Sequence, residues 1–278
     1  MEMRPALVTD SNSQIPPELR DRYRIEVVPI TVIVDGEAYL EGVDLDADGF
    51  YRLFPNGRTP EITTSQPSPG DFVDAYRRCE AQGHEEIVSI HVMAGLSGTL
   101  NSARLAAELV DAQVHLVDSG TASFGIACCV WEAALAREGS ATTAEVVAVA
   151  EATAGKLHSV TAVGAAELLA ASGRVSLEPV AGIEMFVTGP GGSFEVLGSA
   201  RTDTEICDRM ADAMTLGGDP IRVALGIADE SALPYYEGLE ARLEARDDVV
   251  EIVRYRIGPS VGAFTGPGTA GGFWWRAD

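Results

Sequence analysis

Glu86-Ile87-Val88-Ser89-Ile90-His91-Val92 and, a short bridge later, Leu96-Ser97-Gly98-Thr99-Leu100-Asn101-Ser102 read as a strand, a tight turn and the opening of a helix. The helix continues with apolar residues at Leu100, Ala103, Ala106, Ala107 and Val110. Val114 to Asp118 follows as another strand, and a helix is predicted from about Ala122 to Ala136. Strand and helix alternating through short turns predict a parallel sheet covered on both faces. Upstream, Ala6 to Asp10 reads as a first strand and Pro16-Pro17-Glu18-Leu19 as a helix start. Ile25 to Val34 reads as one β-branched strand, turning at Asp35-Gly36 and returning through Ala38-Tyr39-Leu40. Ser68-Pro69-Gly70-Asp71 opens a helix, with serine as cap, proline in the first turn and an acid at the positive dipole end.

The texture changes after a helix predicted over Thr143 to Ala154. Strand-like segments crowd together at Met185 to Thr188, Phe194 to Leu197, Ile221 to Ile227 and Val249 to Tyr255. Helices are expected between them at Asp203 to Met214 and Leu233 to Ala245, and Gly189-Pro190-Gly191-Gly192 reads as a hairpin turn. The expected fold class is therefore α/β in two domains. Residues 1–155 form a parallel-sheet α/β/α domain, and residues 156–278 an α+β domain with a mixed or antiparallel sheet.

A chain of 278 residues is long enough for a sizeable core. Its net charge of −22 argues against nucleic acid and anionic membrane surfaces as partners, because both select clustered cations. Cys79, Cys128, Cys129 and Cys207 form no CxxC pair, which fits reduced thiols in a cytoplasmic protein. The N-terminal residues lack the apolar run of a secretion signal, and no stretch is long enough for stable membrane insertion. His84, His91, His115 and His158 show no metal-ligand spacing, and His91 and His115 read as structural. No metal or cofactor is expected.

Two hydroxyl-rich stretches, Thr63-Thr64-Ser65-Gln66-Pro67-Ser68-Pro69 and Leu96 to Ser102, lie where helices begin. Unpaired N–H groups and the positive dipole end at such places attract anions. Facing one point, the two stretches would hold a carboxylate or phosphate without lysine; the chain's single lysine is Lys156. Thr64, Ser65, Ser97, Gly98 and Thr99 are the candidate binding residues. Ser97 also has two other readings, a plain helix cap or the nucleophile of a serine hydrolase or acyl transferase. Against the last, Gly95-Leu96-Ser97-Gly98-Thr99 places threonine where a nucleophile elbow has its final glycine. Asp10-Ser11-Asn12-Ser13 is either part of the same rim or a capped turn. Ser172-Gly173-Arg174 offers a fork of donors for a carboxylate. Gly262 to Gly268 is a glycine-rich turn without the Walker pattern, free to approach a ligand or to turn a corner.

In order along the chain, Val8-Thr9-Asp10-Ser11, Val28-Pro29-Ile30, Thr64-Ser65-Gln66-Pro67-Ser68, Leu96-Ser97-Gly98-Thr99, Val117-Asp118-Ser119, Ser172-Gly173-Arg174 and Thr265-Gly266-Pro267-Gly268 resemble the DegV family of bacterial fatty-acid-binding proteins. The resemblance implies two α/β domains with a long-chain fatty acid between them. It implies a carboxylate held by Thr64 and Ser97, with Arg174 nearby. It also implies a non-catalytic role, in which the lipid is presented to a separate ATP-using kinase that makes an acyl phosphate. The chain departs from the family at Phe264, where a histidine is usual before the Gly-Pro-Gly turn. It departs again in the acidic segment Arg201-Thr202-Asp203-Thr204-Glu205, where basic residues are usual. Both departures favour a lipid-binding relative uncoupled from a kinase.

Overall fold

The computed structural model describes residues 4–54, 59–171, 182–190 and 193–277. In chain order the strands and helices are β1 (Ala6–Asp10), α1 (Pro17–Arg22), β2 (Ile25–Val28), β3 (Thr31–Val34), β4 (Glu37–Leu40), α2 (Ala47–Tyr51), β5 (Ile62–Ser65), α3 (Pro69–Ala81) and β6 (Glu86–His91). Then come α4 (Thr99–Ala107), β7 (Gln113–Asp118), α5 (Phe124–Glu138), α6 (Thr143–Ala154), β8 (His158–Val163), α7 (Ala166–Ala171), β9 (Ile183–Gly189) and β10 (Ser193–Ala200). The chain ends with α8 (Asp203–Ala213), β11 (Ile221–Ile227), α9 (Leu233–Glu244), β12 (Val249–Arg256), α10 (Pro259–Thr265) and β13 (Ala270–Arg276).

Contacts divide the chain into two units, Met1–Asp44 with Thr63–Gly155, and Leu45–Ile62 with Lys156–Asp278. The second unit thus recruits a stretch from the first half of the sequence, which one cut near Gly155 does not describe.

The first unit is built on a parallel sheet of order β2-β1-β6-β7. Alternation along a strand sends Ala6, Val8 and Ile87 to the face covered by α3 and α4, where they pack with Phe72, Tyr76 and Ala103. Leu7, Val88 and Ile90 point the other way and are equally buried, and α5 and α6 pack against the same strands. Burial on both faces explains why these strands read as near-continuous apolar runs. The opening of α3 is a capping box, in which Ser68 Oγ accepts from the Asp71 N–H while the Asp71 carboxylate accepts from the Ser68 N–H. The predicted single strand Ile25 to Val34 is two strands in different sheets. It breaks at Pro29, which has no N–H for a ladder, and β3 then joins a three-stranded sheet of order β4-β3-β5. Asp35 and Gly36, both with positive φ, make the two-residue turn between β3 and β4.

The second unit has a six-stranded mixed sheet of order β10-β9-β8-β13-β11-β12, antiparallel except between β11 and β12. Helices α8 and α9 bury Ile206, Met210, Leu239 and Leu243 against Val223, Leu225 and Trp274. The recruited α2 sits on α10. Tyr51 donates its hydroxyl to the Ile257 carbonyl at 2.9 Å, and Asp48 pairs with Arg256 at 2.7 Å. Gly262 is what lets the helices meet, since a Cβ there would lie 2.5 Å from the Tyr51 hydroxyl and 2.8 Å from the Phe50 ring. Gly262→Val is expected to cost about 1–3 kcal/mol through overpacking, read as a lower urea midpoint together with new protease cleavage within residues 45–62. An unchanged midpoint would contradict this packing.

Arg246 ties α8 to the start of β12. It donates to the Ala211 and Met214 carbonyls and forms a two-pronged pair with Asp248 at 2.9 and 2.6 Å. The hydrogen bond from Arg246 holds the Asp248 carboxyl below the ordinary carboxylate range. A depressed carboxyl stabilises the fold above its unfolded pKa and loses that contribution as acid protonates it. Asp248→Asn should therefore lower stability near neutrality while reducing the further loss below about pH 4. Parallel acid-unfolding profiles of the two proteins would contradict the assignment.

Candidate functional site

Strands β1, β6 and β7 run parallel and adjacent, so the turns after Asp10, His91 and Asp118 gather at one edge of the sheet. In open parallel sheets this carboxyl edge is where ligands are held.

A buried carboxylate organises the turns. Asp10 Oδ1 accepts from the Asn12 N–H at 3.0 Å, capping the short 3-10 turn Ser11–Ser13. Asp10 Oδ2 accepts from the Val92 N–H at 3.1 Å and faces His91 Nδ1 at 2.9 Å. Of the two readings of Asp10-Ser11-Asn12-Ser13, the capped turn is therefore present. Asn12 Oδ1 in turn accepts from the N–H of Ser123, a residue held at φ 57 directly before α5. Across β7, Asp118 accepts from the Ala94 and Gly120 N–H groups, and the Thr121 carbonyl accepts from the Met93 N–H. The three turns thus brace one another through carboxylate, amide and backbone groups. Ser13 Oγ lies buried among them without a hydrogen-bond partner among the described residues.

Ser97 sits just before α4 and is half-buried. Its hydroxyl meets the Thr99 hydroxyl at 2.8 Å and accepts from the Thr99 N–H at 3.2 Å. Gly98 occupies the N-cap position and supplies no capping side chain, while Thr99 is fully buried. Thr64 and Ser65 lie on strand β5 rather than at the helix start itself, with the capping role falling to Ser68. Thr64 is half-buried and Ser65 exposed. The two hydroxyl stretches nevertheless meet. A Cβ on Gly98 would lie 2.5 Å from both amide atoms of Gln66, so the Gln66 side chain rests on Gly98. Gln66 thereby brings the end of β5 to the Ser97 turn, a contact that sequence reading did not single out.

Arg174, with Ser172 and Gly173, lies outside the described residues. Phe264 is a half-buried residue of α10 in the second unit. The Gly-rich segment is partly helix α10 and partly a corner, in which the Ala165 N–H bonds the Thr265 carbonyl and the Gly268 N–H bonds Asp229. Among the described residues, no cluster of three or more His, Cys, Asp or Glu side chains is placed to hold a metal ion. No described helix is long and apolar enough to cross a membrane. The four thiols are buried, and desolvation pushes Cys79 up to about 11 and Cys129 to about 12.

A Ser–His–Asp string does exist, but not at Ser97. Ser89 Oγ meets His91 Nε2 at 2.6 Å, and His91 Nδ1 faces Asp10. Its connectivity is that of a catalytic triad, yet Ser89, His91 and Asp10 are all 0% exposed. A substrate carbonyl has no route to Ser89 from solvent. Both nitrogens of His91 are engaged, which leaves Ser97 paired with Thr99 rather than with a base.

The DegV family model, described as uncharacterised, matches residues 4–277. The chain belongs to the DegV family. A DegV domain-containing protein of Streptomyces coelicolor is 29% identical over 281 residues, covering 96% of each chain. Another, from Caldanaerobacter subterraneus, is 27% identical over 275 residues, covering 96% of this chain and 97% of its own. A fatty-acid-binding DegV family protein of Thermus thermophilus has a TM-score of 0.84 at 28% identity, over 99% of this chain and 100% of that one. DegV of Bacillus subtilis, described as a fatty acid binding protein, has a TM-score of 0.82 at 25% identity, over 99% and 100%.

A fluorophosphonate probe should leave Ser97 unmodified, because among the described residues its hydroxyl is paired with Thr99 rather than with a base. Stoichiometric labelling at Ser97, read by peptide mass spectrometry, would restore the hydrolase reading.

Proposed function

We propose that this DegV protein binds a long-chain fatty acid, with the carboxylate at the Ser97 turn and the end of β5. The observation that carries the reading is the seating of the Gln66 side chain on Gly98, which brings the end of β5 beside the Ser97 turn. The family relatives from Thermus thermophilus and Bacillus subtilis, described as binding fatty acids, support the ligand class. Hydroxyls and backbone N–H groups suit a monoanionic head group. A carboxylate leaving water needs such donors or its burial is costly. The tail supplies affinity at ~0.8 kcal/mol per buried methylene. Arg174 is assigned to the same carboxylate on the family resemblance. On the family resemblance, Phe264 stands at the sequence position where a histidine is usual, and this departure favours the carrier role that we adopt over phosphoryl transfer.

Native mass spectrometry of gently purified protein, followed by oleate titration, tests this reading. The expected result is a one-to-one lipid complex. Ser97→Ala and Thr64→Val should each lose a hydrogen bond to a charged group, about 1.5–3 kcal/mol, or roughly ten- to a hundredfold in affinity. Absence of both co-purified lipid and oleate uptake would overturn it.

A further inference from the structure

The core between β6 and α3 contains a string of buried, hydrogen-bonded polar groups. Ser89 and His91 are two apart on β6 and so face the same way as Ile87, toward α3. Phe72, from the apolar cluster on that face, meets the His91 ring edge-on at 5.0 Å. Apolar side chains would fill this space without the desolvation cost of two hydroxyls, an imidazole and a carboxylate.

The direction of the hydrogen bonds follows from counting donors. Among the described residues the Tyr76 hydroxyl meets only Ser89 Oγ, at 2.9 Å. Burial pushes the Tyr76 phenol above its ordinary value, so it keeps its proton. That proton has no other acceptor, so Tyr76 donates to Ser89. Ser89 then donates to His91 Nε2, which must accept, and His91 Nδ1–H donates to Asp10 Oδ2. The string runs one way, from the middle of α3 to the end of β1.

One end lies on the helix that follows the first hydroxyl stretch, and the other, on β1, is bonded to the backbone that leads into the second. Tyr76 lies on α3, whose cap Ser68 follows Thr64 to Gln66. Asp10 holds the Val92 N–H, where the chain leaves β6 for the Ser97 turn. We propose that Tyr76, Ser89, His91 and Asp10 are positioning residues, whose directed hydrogen bonds set the Ser97 turn against the end of β5. This role rests on the fatty-acid reading for its purpose, but not for its structural effect.

Two measurements separate the role from its purpose. The first is hydrogen exchange of the lipid-free protein. Ser89→Ala should speed exchange at the Val92 and Thr99 amides while the β7 amides stay protected. Tyr76→Phe, which leaves the Ser89–His91 bond in place, should do so more weakly and guards against a misfolded Ser89→Ala. Unchanged exchange at Val92 and Thr99 in both variants would overturn the proposal. The second is a double-mutant cycle on oleate affinity. Ser89→Ala should weaken binding about tenfold in the wild-type background and by less than twofold when Ser97 is already alanine. Independent losses in the two backgrounds would show that Ser89 does not act through Ser97, and would also overturn it. A wild-type protein that takes up no oleate, with the exchange effect intact, would sink the lipid reading and leave the positioning role standing.

Discussion

The first unit turns on one buried carboxylate. Asp10 is sealed from solvent at the end of β1, a setting in which an uncompensated charge would be intolerable. Three donors meet it, from the Asn12 and Val92 backbones and from the His91 ring. Each donor begins a different path. Asn12 leads to Ser123 and α5, Val92 leads to the Ser97 turn, and His91 leads through Ser89 to α3. A charge buried this way stabilises only the arrangement that satisfies it, so one residue specifies the layout of three turns.

That specification matters because the proposed site is made of small, weak parts. Thr64, Ser65, Ser97, Gly98 and Thr99 bring hydroxyls and backbone N–H groups, each worth little alone. Their usefulness to an anion depends on convergence, and convergence depends on turns that do not drift. Strand β6 contributes to both sides of this arrangement, with Ser89 and His91 inside the core and Ser97 just beyond its end. The second unit solves a different problem with a different device. It gathers a helix from the first half of the chain by letting α2 lie directly on Gly262.

Much of this was legible in the sequence, and the misses have physical causes. Parallel strands buried on both faces appear as β-branched runs, and the Ser68 capping box announces α3. Proline at position 29 was the one mark dividing Ile25 to Val34 between two sheets, and the surrounding β-branched residues masked it. Strand β13 escaped notice because Gly271 and Gly272 depress the β signal ahead of Phe273, Trp274 and Trp275. Helix α2 is too short for its periodicity to show, and its placement depends on α10, far along the chain. At the site, the hydroxyl stretches stood out by composition. The contact of Gln66 with Gly98 did not, because nothing local to either residue encodes it. His91 read as structural, and its partners show what it holds.

The protonation pattern of His91 is the most direct test of the account. Long-range proton–nitrogen NMR correlation on the folded protein at pH 7 distinguishes the two ring nitrogens. A directed string ending on Asp10 predicts a proton on Nδ1 and a bare Nε2 accepting from Ser89. A proton on Nε2, alone or on both nitrogens, would mean that the string does not run from Tyr76 to Asp10, and the account of how the turns are held would be contradicted.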